Sequence, residues 1–101
     1  MPVICAQEGR CLVARISGEL DHHGAKQVME ELDQKIDLGL PSCLILDLSG
    51  LTFTDSSGIA VLLRAWKRMN QNRGDVRVIH VPQQAEKVFR AAGLQRLMSF
   101  E

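Results

Sequence analysis

The sequence predicts a single α/β domain over residues 1–101, in which a mixed β-sheet is flanked by α-helices. Three observations predict this class. The chain of 101 residues is long enough for one domain with one core. Short apolar runs alternate with longer segments in which apolar residues recur at helical spacing. Glycines and prolines punctuate these segments, and the resulting order is β-β-α-β-α-β-α-β.

The first three elements are two strands and a helix. "PVICAQ" and "CLVARIS" are β-type runs joined by a turn at "EGR". The sequence predicts a helix after "GELDHHG", and Gly39 and Pro41 are placed to end this helix. The apolar face of this helix would consist of Ala25, Val28, Met29, Leu32 and Ile36.

The later elements alternate between strand and helix. "SCLILDLSG" is mostly apolar, which predicts a central strand covered on both faces. A second helix carries Arg64, Lys67 and Arg68 outside its apolar face, either for an acidic partner or as a solvated surface. "VRVIHV" predicts a strand, a third helix lies between Pro82 and Gly93, and "LQRLMSFE" predicts a short last strand.

Charge and hydropathy exclude several classes of function. Twelve basic and twelve acidic residues give a formal net charge of zero, so there is no net field to attract nucleic acid or an anionic membrane. No apolar stretch approaches the roughly 20 residues that span a bilayer, and "MPVICAQEGR" lacks the pattern of a signal peptide. Cys5, Cys11 and Cys43 lie inside apolar runs, which favours buried thiols over a disulfide framework. We therefore expect a cytoplasmic protein.

Two polar loops follow predicted strands at the points where the chain enters a helix. One loop runs over residues 19–23 and the other over residues 54–58. Sites in such sheets gather at the carboxyl ends of the strands. If the two strands are neighbours, both loops lie at the same edge of the sheet.

The second loop, "TDSSG", is more polar than a helix start requires. One side chain suffices as the N-cap, yet Asp55, Ser56 and Ser57 occur in succession. The free N–H groups and the positive end of the helix dipole also favour a phosphate, so a serine here can carry one without unfolding its helix. Gly58 would let a partner's backbone or nucleotide approach closely. Spacing alone leaves the capping and phosphoacceptor interpretations both open.

The first loop invites a different interpretation, because His22 and His23 follow Asp21. Adjacent histidines point in different directions and no third ligand is evident, so we expect no metal. Asp21 capping the helix beside a solvated histidine is simpler.

The second loop could also be considered as the site of a serine hydrolase. Such an enzyme would need a positioned base and an oxyanion hole, and "TDSSG" is not the G-x-S-x-G motif.

Both loops resemble hallmarks of one family. "LILDLSGLTFTDSSGIAVLL" resembles the segment around the phosphorylated serine of anti-sigma factor antagonists, which are STAS-domain proteins. "GELDHHGA" resembles the family's other motif, in the right order and at the right distance upstream. The resemblance runs from Val3 to Phe100 and is closest to the sporulation-type antagonists. Two separated motifs make it more specific than either motif alone.

The resemblance implies a single STAS domain that acts as a switch and not as an enzyme. The unmodified antagonist would bind an anti-sigma factor that is also a serine kinase, and so release a sigma factor. The kinase would use ATP to phosphorylate Ser56, and a metal-dependent serine phosphatase would reset the switch; no cofactor is implied for this chain. The residues implied to contact the partner are Asp21, His22, His23, Thr54, Asp55, Ser57 and Gly58. The first alternative is a STAS module of another partner-switching or signalling-scaffold pathway, and the alternative of a different class is a small serine hydrolase.

Overall fold

The computed structural model describes residues 3–101 and confirms the predicted order of strands and helices. A 3₁₀ turn over Leu94–Arg96 takes up part of the run that predicted the last strand, so that strand has only two residues. Pro2, which opened the first predicted strand, lies outside the described residues. The elements are β1 (Val3–Glu8), β2 (Cys11–Leu20), α1 (His22–Gly39), β3 (Cys43–Thr54), α2 (Ser56–Gln71), β4 (Asp75–Ile79), α3 (Gln83–Ala91) and β5 (Ser99–Phe100).

The five strands form one mixed sheet in the order β1-β2-β3-β4-β5. β1 is antiparallel to β2, and the other neighbouring pairs are parallel. Each of the three crossovers therefore moves one strand further in the same direction. Because such crossovers are right-handed, all three helices lie on one face of the sheet, in agreement with the contacts of α1 with α2 and of α2 with α3.

The core lies between the sheet and this layer of helices. On β2, Leu12, Ala14 and Ile16 are buried beneath the helices, while Arg15 points to the opposite face and is exposed. The predicted apolar helix faces are confirmed; their buried members include Val28, Leu32, Ile36, Leu62 and Met69. The prediction that the central strand is covered on both faces is wrong, because every crossover returns on the same side. No helix in residues 3–101 is long and apolar enough to cross a membrane.

The open face of β3 holds the buried carboxylate of Asp47. Arg15 Nε lies 3.5 Å from Oδ2, His80 Nδ1 lies 3.1 Å from Oδ1, and the N–H of Ser49 donates to Oδ1 at 3.0 Å. Burial by itself raises the pKa of Asp47, but the hydrogen bonds from Ser49 and His80 together outweigh it and hold the pKa below its ordinary value. The ionised carboxylate therefore stabilises the fold above its unfolded pKa, and this contribution is lost as pH falls through the folded pKa.

Cys11 and Cys43 form a disulfide between β2 and β3, so the prediction that they are buried thiols is wrong. The two residues are direct partners in the parallel register, and their Cα atoms lie 4.6 Å apart, within the range that a disulfide spans. A register between strands separated by a helix is not visible in the sequence. Within residues 3–101, Cys5 is the free cysteine, and burial raises the pKa of its thiol.

Two of the basic residues on α2 pair with α1. Arg64 Nη2 lies 2.7 Å from Asp33 Oδ2, and Arg68 pairs with both Asp33 and Asp37. Lys67 is exposed. Arg64 and Arg68 thus contribute to the contact between the two helices, and neither interpretation given to them from the sequence describes this role.

Candidate functional site

The two polar loops lie side by side at one edge of the sheet, as predicted. β2 and β3 end at the same level, with Leu20 opposite Thr54. The N–H of Asp55 donates to the carbonyl of Leu20 at 3.3 Å, which joins the two loops directly. α1 and α2 therefore begin next to each other, and the positive ends of both helix dipoles lie at this edge.

Each of these helices begins with an aspartate N-cap. The carboxylate of Asp21 accepts from the N–H of Gly24 at 2.8 Å, and the carboxylate of Asp55 accepts from the N–H of Ser57 at 2.7 Å. Capping by Asp21 was predicted and is confirmed. Because Asp55 caps α2, the hydroxyls of Ser56 and Ser57 are not needed for that purpose.

Ser56 is the first residue of α2, and its side chain is exposed. Ser57 and Asp55 are partly buried beside it. The first turn of a helix presents N–H groups that have no partner within the helix, and these groups favour an anion. Because Ser56 is exposed and Ser57 is partly buried, the hydroxyl of Ser56 is the one that another protein reaches more easily.

The first turn of α1 adds polar groups to the same edge. Asp21, His22 and His23 are all exposed, and His23 Nε2 lies 3.3 Å from Gln27 Nε2. Residues 3–101 contain no group of three or more His, Cys, Asp or Glu side chains placed to hold a metal ion. The N-cap and the first turn of α1 thus give this edge a carboxylate and two imidazoles that a partner can contact.

Thr54 and Gly58 lie inside the protein, which corrects two expectations. Thr54 is fully buried, so its side chain does not face a partner. Gly58 is also buried, and a Cβ there would collide with Thr54 Oγ1 and lie 3.4 Å from Phe89 Cε1. The space beside Gly58 is filled by atoms of the domain itself. The glycine therefore lets α2 start close against the end of β3 and does not provide access for a partner protein or a nucleotide.

We expect Gly58→Ala to lower the free energy of unfolding by about 1–2 kcal/mol. Overpacking costs about 1–3 kcal/mol, which exceeds the gain of up to about 1 kcal/mol for replacing a helical glycine. Urea-induced unfolding measures the change, with Asn70→Ala at an exposed position of α2 as the control. An unchanged midpoint for Gly58→Ala would mean that α2 shifts freely away from Thr54.

Two residues at the site were not singled out from the sequence. The side chain of Gln84 makes two hydrogen bonds with the backbone of Thr54. Phe53 precedes Thr54 and is 41% exposed next to the loop of residues 54–58. Phe53 could have been found from the sequence, because it is an aromatic residue between two threonines in the polar stretch "TFT". Gln84 could not, because it lies 30 positions from Thr54 at the start of another helix.

The chain belongs to the STAS-domain family, which it matches over residues 3–101. Within the family, it is 36% identical over 87 residues to an anti-sigma F factor antagonist of Paenibacillus polymyxa, covering 86% of this chain and 74% of that protein. Its fold is similar to that of the anti-sigma factor antagonist SpoIIAA in its unphosphorylated form, with a TM-score of 0.85, 27% identity, and coverage of 98% of this chain and 87% of the other. The phosphorylated form of SpoIIAA, a Bacillus cell fate determinant, gives a TM-score of 0.77 at 27% identity, with 98% and 90% covered. The resemblance seen in the two motifs is thus confirmed.

Proposed function

We propose that this chain is an anti-sigma factor antagonist whose binding to an anti-sigma factor is switched off by phosphorylation of Ser56. The observation that carries the proposal is the exposed Ser56 hydroxyl at the start of α2, beside an aspartate that already caps the helix. The similarity to an anti-sigma F factor antagonist, and to SpoIIAA in unphosphorylated and phosphorylated forms, supports it.

The proposed partner is an anti-sigma factor that is also a serine kinase. In the transfer step, Ser56 Oγ forms a bond to the γ-phosphorus of ATP held by the kinase. The bond from that phosphorus to its bridging oxygen breaks, ADP leaves, and the hydroxyl proton passes to a base of the kinase. This chain supplies the accepting hydroxyl and is a substrate, not an enzyme, and ATP is the kinase's ligand.

Electrostatics accounts for release of the phosphorylated form. Phosphorylation adds about −1.5 to −2 charges at neutral pH. In the complex this charge would be desolvated close to the carboxylate of Asp55 and at the same edge as Asp21. Changing a 99:1 preference into 1:99 requires about 5.5 kcal/mol, which a phosphate at the centre of an interface can supply. The helix start tolerates the phosphate, so no refolding is required.

The remaining parts of the cycle follow from the same proposal. A serine phosphatase would return the chain to its binding state, and no direct contact with nucleic acid or a membrane is proposed. A cytoplasmic location fits a protein that controls a sigma factor, and sporulation is the context indicated by the type of antagonist it resembles. The Cys11–Cys43 disulfide is unusual for that compartment, where reducing agents keep most protein cysteines in the thiol form.

Incubation with the anti-sigma factor kinase and ATP tests the proposal. We expect the mass to rise by one phosphate, the modification to map to Ser56, and the complex to dissociate during size-exclusion chromatography. Modification of Ser57 would overturn the choice of residue. A stable complex without any phosphorylation would favour a STAS module of another pathway, and ester hydrolysis by the chain alone would favour the hydrolase.

A further inference from the structure

Gln84, at the start of α3, is joined to the last residue of β3 by two hydrogen bonds. Its Oε1 accepts from the N–H of Thr54 at 3.1 Å, and its Nε2 donates to the carbonyl of Thr54 at 2.9 Å. We call this pair of bonds the Gln84–Thr54 contact. It links two residues that lie 30 positions apart in the chain, at a point two residues before Ser56.

The Gln84–Thr54 contact takes the place of a missing strand. β4 pairs with β3 only as far as Asp47, which lies opposite Ile79, so the end of β3 extends beyond β4. On its other side, Thr54 is paired with Leu20 of β2. A primary amide offers one acceptor and one donor side by side, as a peptide group does. Gln84 therefore satisfies the N–H and carbonyl of a fully buried residue, groups that are costly to leave unpaired.

Thr54 also holds the start of α2, which carries Ser56, in place. Its Oγ1 donates to the carbonyl of Asp55 at 3.0 Å, and Gly58 packs directly against its side chain. The carboxylate of Asp55 holds the N–H of Ser57. A displacement of Thr54 would therefore move the cap of α2 and, with it, the first residue of the helix.

We propose that Gln84 is a positioning residue for the phosphorylation of Ser56. This inference rests on the proposed function, and Gln84 acts through Thr54, because its side-chain hydrogen bonds go to the Thr54 backbone and not to the Ser56 hydroxyl. In-line transfer requires the hydroxyl to be held at a defined place relative to the γ-phosphate, and a misplacement of about 1 Å can cost about 10²-fold in rate. Loss of the Gln84–Thr54 contact leaves Ser56 accessible but no longer held in that geometry.

The test compares Gln84→Ala, Gln84→Glu and the matched control Gln83→Ala, an exposed neighbour in the same helix turn. Gln84→Glu keeps an acceptor for the Thr54 N–H but places a carboxylate oxygen against the Thr54 carbonyl. Steady-state phosphorylation by the anti-sigma factor kinase gives kcat and KM for each variant. Amide hydrogen exchange of Thr54 and Ser57, followed by NMR without the kinase, reports the contact itself.

We expect Gln84→Ala to lower kcat by about 10- to 100-fold at little-changed KM, in line with the cost of misplacement, and to accelerate exchange at Thr54. Gln83→Ala should match the wild type in both measurements. Faster exchange at Thr54 with an unchanged kcat would overturn the proposal and leave Gln84 a purely structural role. If Gln84→Ala does not fold, Gln84→Glu provides the same comparison. Absence of phosphorylation in the wild type would instead overturn the proposed function, and the exchange data would still show whether Gln84 holds Thr54.

Discussion

Ser56→Ala is expected to stay bound to the anti-sigma factor kinase in the presence of ATP, under conditions in which the wild type dissociates. The alanine removes the exposed hydroxyl at the start of α2 but leaves the cap between Asp55 and Ser57 in place. No phosphate can then enter the interface, so the loss of about 10⁴-fold in affinity, or about 5.5 kcal/mol, that a change from 99:1 to 1:99 requires does not occur. Size-exclusion chromatography of the mixture before and after addition of ATP measures the difference.

Ser57→Ala is the matched control for this result. The backbone N–H that Asp55 caps is retained in this variant, and Ser56 keeps its hydroxyl. We expect it to be phosphorylated and released as the wild type is. The reverse pattern, with Ser57→Ala held and Ser56→Ala released, would assign the phosphate to the partly buried serine.

Ser56→Asp should weaken binding to the anti-sigma factor, but by less than phosphorylation does, because aspartate adds only one charge. Unchanged affinity by calorimetry would count against repulsion as the mechanism.

Local patterns in the sequence were sufficient to predict the order of elements. Helical spacing of apolar residues identified α1 and α2, and Gly39 with Pro41 marked the end of α1. The two polar loops, each placed after a strand, also identified the edge of the sheet where the candidate site lies. These features depend on residues close together in the chain, which is why a single sequence contains them.

Features that depend on register between distant segments could not be predicted. The pairing of Cys11 with Cys43 and the contact of Gln84 with Thr54 each join residues at least 30 positions apart. Gly58 was assigned to access for a partner because glycine permits close approach, but the sequence does not say what approaches it. The structure shows that the neighbour is Thr54 of the same chain.

Breaking the Cys11–Cys43 disulfide is expected to lower the free energy of unfolding by about 3–4 kcal/mol. The bond joins residues with a sequence separation of 32, and a cross-link over a loop of that length restricts the unfolded chain by about this amount. For a domain of this size, each kcal/mol corresponds to roughly 4–8 °C in Tm. Thermal unfolding with and without a thiol reductant measures the shift, with Cys5→Ser as the control that retains the disulfide. A Tm that does not respond to complete reduction would contradict this account, because it would mean that the cross-link does not restrict the unfolded chain by that amount.

The Cys11–Cys43 disulfide lies at the opposite end of β2 and β3 from the loop of residues 54–58, which carries Ser56. Cys11 is paired with Cys43 where the two strands begin, and Leu20 is paired with Thr54 where they end. At about 3.3 Å per residue, the length of β2 separates the disulfide from the loop that carries Ser56 by about 30 Å. Reduction should therefore lower stability without changing the rate at which folded protein is phosphorylated on Ser56. If reduced protein below its Tm were phosphorylated at a different rate, the paired strands would have to transmit the state of the disulfide to the loop.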